Sequence, residues 1–261
     1  MNRIEQTFQL LTKTGRKAFV PYLMAGDGGL DCLADRLTLL EKFGASAIEV
    51  GVPFSDPVAD GSAIQMAGIR ALKNGTTLRG IIKKIAEARK QIHVPIILMT
   101  YLNPVYAYGI DAFIFDIQEA GIDGCIIPDL PMEEEDIIAP KLHEVNIEFI
   151  RLATPTTPLD RIKQIAGKGR GFLYTVTVKG ITGERSEFAH DLYAFLKQVK
   201  EVSSIPVLAG FGISNQEQIA EIVEYCDGVV VGSKIVDLFA SSRLRELEQL
   251  VSIFHSKSNP F

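Results

Sequence analysis

Ile48-Glu49-Val50-Gly51-Val52-Pro53-Phe54-Ser55-Asp56-Pro57-Val58-Ala59-Asp60-Gly61-Ser62-Ala63-Ile64-Gln65 reads as a strand, a stiff loop and the start of a helix. Residues 47–50 are apolar except for Glu49, and an unpaired charge inside such a run is expensive. Pro53 and Pro57 stiffen the loop, Asp60-Gly61 closes it, and helical spacing begins near Ala63. A strand whose following loop delivers acids is a common way for α/β enzymes to place acid–base groups.

Working outward, the same unit recurs. Short β-rich runs are predicted at residues 18–24, 47–50, 94–100, 124–127, 148–152, 171–176, 206–209 and 228–231. Helical patterns are predicted at 30–43, 63–72, 78–91, 110–120, 133–145, 159–166, 191–202 and 216–225, with a last helical region from Gly232-Ser233 to about His255. Tyr101-Leu102-Asn103-Pro104 reads as loop, and residues 177–188 as a long polar loop. An additional helix at 4–13 (Ile4, Phe8, Leu11) precedes the first strand. Near-continuous apolar strands indicate a parallel sheet covered by helices. Eight such units in about 250 residues predict a (β/α)8 TIM barrel with an extra N-terminal helix. A doubly wound open sheet is the alternative, but no strand leads into a full GxGxxG and there is no composition break. Residues 1–261 are therefore expected to form a single domain.

The composition narrows the function. The chain has 261 residues, 47% of them hydrophobic, a net charge of -5 and a pI near 5.5. It has no Lys/Arg run, so no nucleic-acid partner is expected. No apolar run approaches the ~18 residues of a membrane span, and the first residues have no apolar signal region. No membrane partner is expected, and the expected location is cytoplasmic. Cys32, Cys125 and Cys226 read as buried free thiols. His93, His143, His190 and His255 make no ligand pair, so no metal site is expected.

In a barrel, the loops after the strands share one face. This gathers Glu49, Asp56, Asp60, Asn103, Asp129, Tyr174, Thr182, Gly183, Phe211, Gly212, Gly232 and Ser233. Gly210-Phe211-Gly212-Ile213-Ser214 and Val231-Gly232-Ser233 offer backbone N–H groups to an anion after strands seven and eight, as phosphate-binding barrels do; Gly-Phe-Gly by itself is equally a tight turn. Glu49 is either a catalytic acid with a raised pKa or an interior acid paired with a Lys or Arg. Asp60 alone reads as a cap for the next helix, Asp56 as an Asx-turn residue, Asp129 as a turn or cap, and Tyr174 as strand packing. The loop at 177–188 is either a lid or a disordered surface loop. Lys179, near strand six but out in this glycine loop, keeps Schiff-base chemistry as a minor alternative.

Several strings, in order, resemble the tryptophan synthase alpha chain family: Phe19-Val-Pro-Tyr-Leu-Met-Ala-Gly-Asp27, Glu49 through Gln65, Met99-Thr-Tyr-Leu-Asn-Pro-Val105, Pro128-Asp-Leu-Pro131, Gly180-Ile-Thr-Gly183, Gly210-Phe-Gly-Ile-Ser214 and Val231-Gly-Ser233. The chain departs at Thr177-Val178, where members often carry Ser-Arg, and at Ser62, where they often carry Pro. The resemblance implies retro-aldol cleavage of indole-3-glycerol phosphate to indole and glyceraldehyde 3-phosphate. It implies Glu49 as the acid–base group and Asp60 as the partner of the indole N–H. Tyr22, Thr100, Ile126 and Phe211 would hold the indole, and Tyr174 would stand beside Glu49. Gly183, Gly212, Gly232 and Ser233 would bind phosphate, and Thr182 would engage Asp60 when the lid closes. No cofactor is implied for this chain, since pyridoxal phosphate belongs to the family's beta chain. The implied partner is that beta chain in an α2β2 tetramer, contacted through Asp56, Asn103 and Pro104. A stand-alone indole-glycerol-phosphate lyase and a catalytically silent barrel that activates a beta chain are the alternatives.

Overall fold

Alternation of side chains along each strand gives the sheet one face for the helices and one for the interior. The computed structural model describes residues 1–176, 185–210 and 215–252. Among them are nine parallel strands: β1 (Ala18–Met24), β2 (Ile48–Gly51), β3 (Ile96–Met99), β4 (Gly124–Ile126), β5 (Glu148–Phe149), β6 (Arg151–Ala153), β7 (Leu173–Val176), β8 (Val207–Gly210) and β9 (Gly228–Val231). Their order is β5-β4-β3-β2-β1-β9-β8-β7-β6. The two ends of that order are separated in the chain by Ile150 alone, whose N–H bonds the Cys125 carbonyl at 2.9 Å. β5 and β6 are thus the two halves of the expected fifth strand: the first pairs with β4, the second with β7. The expected eight-unit barrel closes through this one bent segment.

The helix at the amino end, α1 (Arg3–Thr14), starts with a reciprocal cap between Asn2 and Glu5 and ends at Gly15 in the left-handed region. Its buried face of Ile4, Phe8 and Leu11 packs against Ala18, Val20, Ala47, Ile97, Phe172, Leu208 and Val230 from the interior of the barrel. It closes the end where the strands begin. Each of those three side chains contributes about 1.5–3 kcal/mol by leaving water. Gly124 makes room for it, since a Cβ there would lie 2.8 Å from Ile4 Cδ1. The opposite end, where the strands finish, is left for chemistry.

The outer layer contains α2 (Leu33–Phe43), α3 (Ser62–Lys73), α4 (Leu78–Ala88), α5 (Leu102–Tyr108), α6 (Ile110–Glu119), α7 (Ala139–Glu144), α8 (Leu159–Lys168), α9 (Arg185–Val202), α10 (Gln216–Ile222), α11 (Ser233–Ala240) and α12 (Leu244–Val251). The helices correct the sequence-based expectation in four places. Leu102-Asn103-Pro104 begins α5 rather than a loop, because Pro104 falls in the first helical turn, where its missing N–H has no intrahelical partner to lose. The helix expected at 133–145 starts only at Ala139, since Pro140 belongs in a first turn. A separate 3-10 turn, Glu135–Ile137, precedes it. α9 begins at Arg185, inside the segment expected to be loop. The last helical region is broken between α11 and α12 at Ser242, which takes φ 55°, while the Arg243 N–H bonds the Leu238 carbonyl at 2.9 Å. No helix among the described residues is long and apolar enough to cross a membrane.

Candidate active site

Glu49 projects from β2 into the barrel, in register with Tyr22 on β1 and Ile97 on β3. It is 1% exposed, and its Oε1 has no hydrogen-bond partner. Among the described residues no Lys or Arg pairs with it, so the reading of a charge-paired interior acid is set aside. Burial, and then the charge of Asp60, push its carboxyl up to about 8. Such an acid holds a proton at neutral pH and can give and retake it.

Asp60 does not cap α3. The N-cap is Gly61, and no side chain bonds the helix start there. Next to Asp60 in the chain, the Ala59 N–H donates to the Tyr101 hydroxyl oxygen at 3.0 Å. Burial raises the Asp60 carboxyl to about 6 even though the nearby Tyr101 hydroxyl opposes the rise. The hydroxyls of Tyr22 and Tyr174 are held protonated by burial and by the nearby charges of both carboxylates. The site is therefore two acids of different strength among three phenols.

Two glycines make this packing possible. A Cβ on Gly51 would lie 1.9 Å from the Tyr22 hydroxyl, and one on Gly210 would lie 2.1 Å from Tyr174 Cε2. Both are strand positions where only hydrogen leaves space for a facing ring. Ile64 and Met99 pack against Tyr22 and Met24 above the core, and Ile126 and Met99 share the interior cluster. Strand alternation thus puts Met99, not Thr100, on the inner face. Thr100 is buried, and its hydroxyl donates to the Tyr101 carbonyl at 3.4 Å. Tyr101, Gly51 and Met99 escaped sequence reasoning as site residues, and Gly210 reads there only as part of an anion-binding turn. The motif Met99-Thr-Tyr101 contained two of them, and a count of inward parity from Ile97 would have selected Met99.

Gly232 and Ser233 form the start of α11, which no side chain caps. Its first N–H groups are available to an anion, and the helix dipole favours negative charge there. A Cβ at Gly232 would lie 3.1 Å from Ile64 Cδ1 and 3.8 Å from Tyr22, which places this helix start beside the acid pair. Thr182, Gly183, Phe211 and Gly212, together with Lys179, lie outside the described residues. Asp56 is exposed and accepts from the Ser55 hydroxyl at 2.5 Å, with the Val58 N–H on its backbone carbonyl. Asn103 is exposed and Pro104 half-buried on α5. Asp129 is a cap, though of a distant element: both its oxygens receive the Leu102 N–H at the start of α5, at 3.0 and 3.3 Å. Of the cysteines, Cys125 and Cys226 are buried, while Cys32 is half-buried.

The profile of the tryptophan synthase alpha chain family matches residues 8–259. The chain belongs to that family. A tryptophan synthase alpha chain from Bacillus cereus (strain ZK / E33L) is 49% identical over 257 residues, covering 98% of each chain. The tryptophan synthase subunit alpha from Legionella pneumophila superposes with a TM-score of 0.87 at 34% identity, over 97% of this chain and 96% of that one. A chain in a ligand-free tryptophan synthase structure from M. tuberculosis does so with 0.87 at 32% identity, over 97% and 98%. As a tryptophan synthase alpha chain family member, this protein is assigned to tryptophan biosynthesis and to the TIM barrel fold shared with those structures.

Proposed function

We propose that this chain cleaves indole-3-glycerol phosphate to indole and glyceraldehyde 3-phosphate by acid–base catalysis, acting as a single barrel domain in the cytoplasm. The observation that carries the reading is Glu49: a buried carboxyl with an unpartnered oxygen, no cation paired with it among the described residues and a pKa raised to about 8. A purely structural acid has no reason to remain in that state.

The chemistry follows from the two acids. Glu49 enters protonated and gives its proton to C3 of the indole, leaving positive charge on the ring nitrogen. Asp60, the stronger acid at about 6, is ionised at neutral pH and meets that charge through the N–H. The Glu49 carboxylate then takes the proton of the side-chain hydroxyl. The C–C bond breaks, its electrons return to the indole, and the hydroxyl carbon becomes the aldehyde. One proton has moved from oxygen to carbon, and Glu49 ends as it began. Tyr22, Ile126 and Met99 form the wall for the ring, with Tyr174 beside Glu49. Gly232 and Ser233 hold the phosphate at the start of α11. Phe211, Gly212, Gly183 and Thr182 complete these roles by resemblance. This chemistry calls for no cofactor in this chain.

A beta chain is the proposed partner, in an α2β2 assembly that receives the indole, with Asp56, Asn103 and Pro104 at the contact. Support comes from their exposure or half-exposure on two neighbouring segments. The deciding experiment measures indole release from indole-3-glycerol phosphate by the purified chain, with and without a beta chain. Slow release alone and much faster release with the partner is the expected result. Equally fast release in both conditions points to a stand-alone lyase. No release from folded protein in either condition leaves a silent, partner-activating barrel.

A further inference from the structure

The helix after the acid-bearing loop is held to the barrel differently from its neighbours. The buried residues of α3 are Ala67, Gly68 and Ala71, whereas α4 buries Ile81, Ile82, Ile85 and Ala88 and α11 buries Ile235, Val236, Leu238 and Phe239. The large apolar side chains Met66, Ile69 and Leu72 of α3 are exposed. Small side chains remove little apolar surface from water, so they hold a helix weakly. Arg70 adds a tie of another kind. Its Nε donates to Asp27 Oδ1 at 2.7 Å and its Nη2 to Oδ2 at 2.8 Å, a two-point fork with a fixed direction. Asp27 is 5% exposed and lies in the loop between β1 and α2. That loop is itself tied down. Arg36 Nη1 donates to the Asp27 carbonyl at 2.6 Å, and the Ala25 N–H bonds the Gly51 carbonyl at 2.9 Å. Asn74, the residue after α3, donates from Nδ2 to the Gly26 carbonyl at 3.2 Å.

We propose that Asp27 and Arg70 are positioning residues: their ion pair sets the seat of α3 on the mouth of the barrel and, through α3, the places of Ile64 and Asp60. Two contacts carry the seat into the site. Ile64, in the first turn of α3, packs with Tyr22 and Met24, and a Cβ on Gly232 at the start of α11 would lie 3.1 Å from its Cδ1. Gln65 Nε2 donates to the Asp60 carbonyl at 2.9 Å, and the Gln65 N–H bonds the Gly61 carbonyl at 3.0 Å. The end of the loop is thus bound to the first turn of α3. Arg70 lies about 9 Å further along the same helix axis, so a shift at the ion pair moves the first turn with it. Without Arg70, no other Lys or Arg among the described residues pairs with the Asp27 carboxylate. A buried charge left in that state favours local opening towards water. The effect on turnover rests on the lyase reading above; the seat of α3 does not.

The test uses the full chain with Arg70→Met, which keeps the stem and loses the fork, with Asp27→Asn, and with both together. Hydrogen-exchange mass spectrometry reads the seat. Exchange in residues 62–73 should speed up about tenfold in each variant, while α4 and the strands keep their protection. Indole release reads the consequence. The kcat of the folded protein should fall about tenfold, with KM changing less, because Asp60 meets charge that develops only as the bond breaks. The double variant should lose no more than either single one, as for two residues that act as a unit. Arg70→Lys keeps the charge without the fork and should recover only part of the rate. Unchanged exchange in α3 overturns the proposal, as do an unchanged kcat, losses that multiply in the double variant, or full recovery by Arg70→Lys. Protection lost evenly over the whole barrel overturns it too, since the pair would then be a general brace. If the unmodified chain releases no indole, the lyase reading fails, and the exchange pattern still decides whether the pair seats α3.

Discussion

Glu49 and Glu135 are both glutamates with almost no exposure, 1% and 2%, yet their surroundings are opposite. Glu135, in the 3-10 turn before α7, receives Arg151 Nε at 2.8 Å and Nη2 at 3.2 Å, and Lys168 Nζ at 2.8 Å. Burial pushes its carboxyl up, but the hydrogen bonds and charges of Arg151 and Lys168 win, and it sits below the usual range. Glu49 is as little exposed and, among the described residues, has no cation paired with it, so burial drives its carboxyl up. Asp123 repeats the Glu135 pattern under α1, where Arg3 donates at 2.7 Å, Arg89 donates closely and the Ile96 N–H at 2.9 Å completes the shell. Glu135 and Asp123 are each surrounded by donors. At Glu49, Oε1 has no partner among the described residues, and that is where the proposed chemistry is placed.

The comparison breaks first at Glu49. Glu49→Gln should lower indole release by about a thousandfold while the chain still folds; near wild-type cleavage by that variant would remove the acid–base assignment. The two glutamates should also respond to pH with opposite signs. Glu49 has a folded pKa above its ordinary 4.5, so the unfolded chain loses that proton first, and stability falls as the pH climbs from about 4.5 towards 8. Glu135 has a depressed pKa, so it adds stability above the ordinary carboxylate range, and that stability is lost as the pH falls through its folded value. Thermal melts of Glu49→Gln across pH 5 to 8 should be flatter than those of the wild type. A decline of the same steepness in both would contradict the raised pKa.

Glu135→Gln should cost about 3–5 kcal/mol, because Arg151 then stays buried without its counter-charge. Urea unfolding would show this as a lower midpoint, with the folded fraction keeping its kcat. A smaller effect follows at Gly51. Gly51→Ala drives a methyl into the Tyr22 hydroxyl, and overpacking of this kind costs about 1–3 kcal/mol. Its kcat/KM should fall together with its stability, and unchanged kinetics would mean that Tyr22 is free to move aside. Asp129→Ala is the mildest change, removing the cap of α5 for about 1 kcal/mol. If its unfolding midpoint did not change, the Leu102 contact would carry no weight. Any lost response to a beta chain would then need another cause.

Much of the architecture was legible. Ala47 to Val50 reads as a strand from its apolar run, and Glu49 stands out because it interrupts that run. The N-terminal helix is legible from Ile4, Phe8 and Leu11. What local pattern concealed was decided at a distance. Leu102-Asn103-Pro104 looked like a loop, but the helix it starts is capped by Asp129, 27 residues away. Ile150 interrupts the fifth strand because the barrel must close there, a demand of sheet geometry that no local propensity reports.

By itself the sequence determined the sites of the strands and most helices, the barrel they imply and the presence of an acid in an apolar strand. These are properties of periodicity and of side-chain polarity at single positions, and they need no knowledge of neighbours. Only the tertiary structure decided that, among the described residues, Glu49 lacks a cation while Glu135 has two, that Asp60 does not cap the helix after it, and that Gly51 and Gly210 exist to admit two rings. Those facts depend on which side chains meet across the barrel, and a charge buried in a low-dielectric interior takes its meaning from the groups within a few ångströms of it.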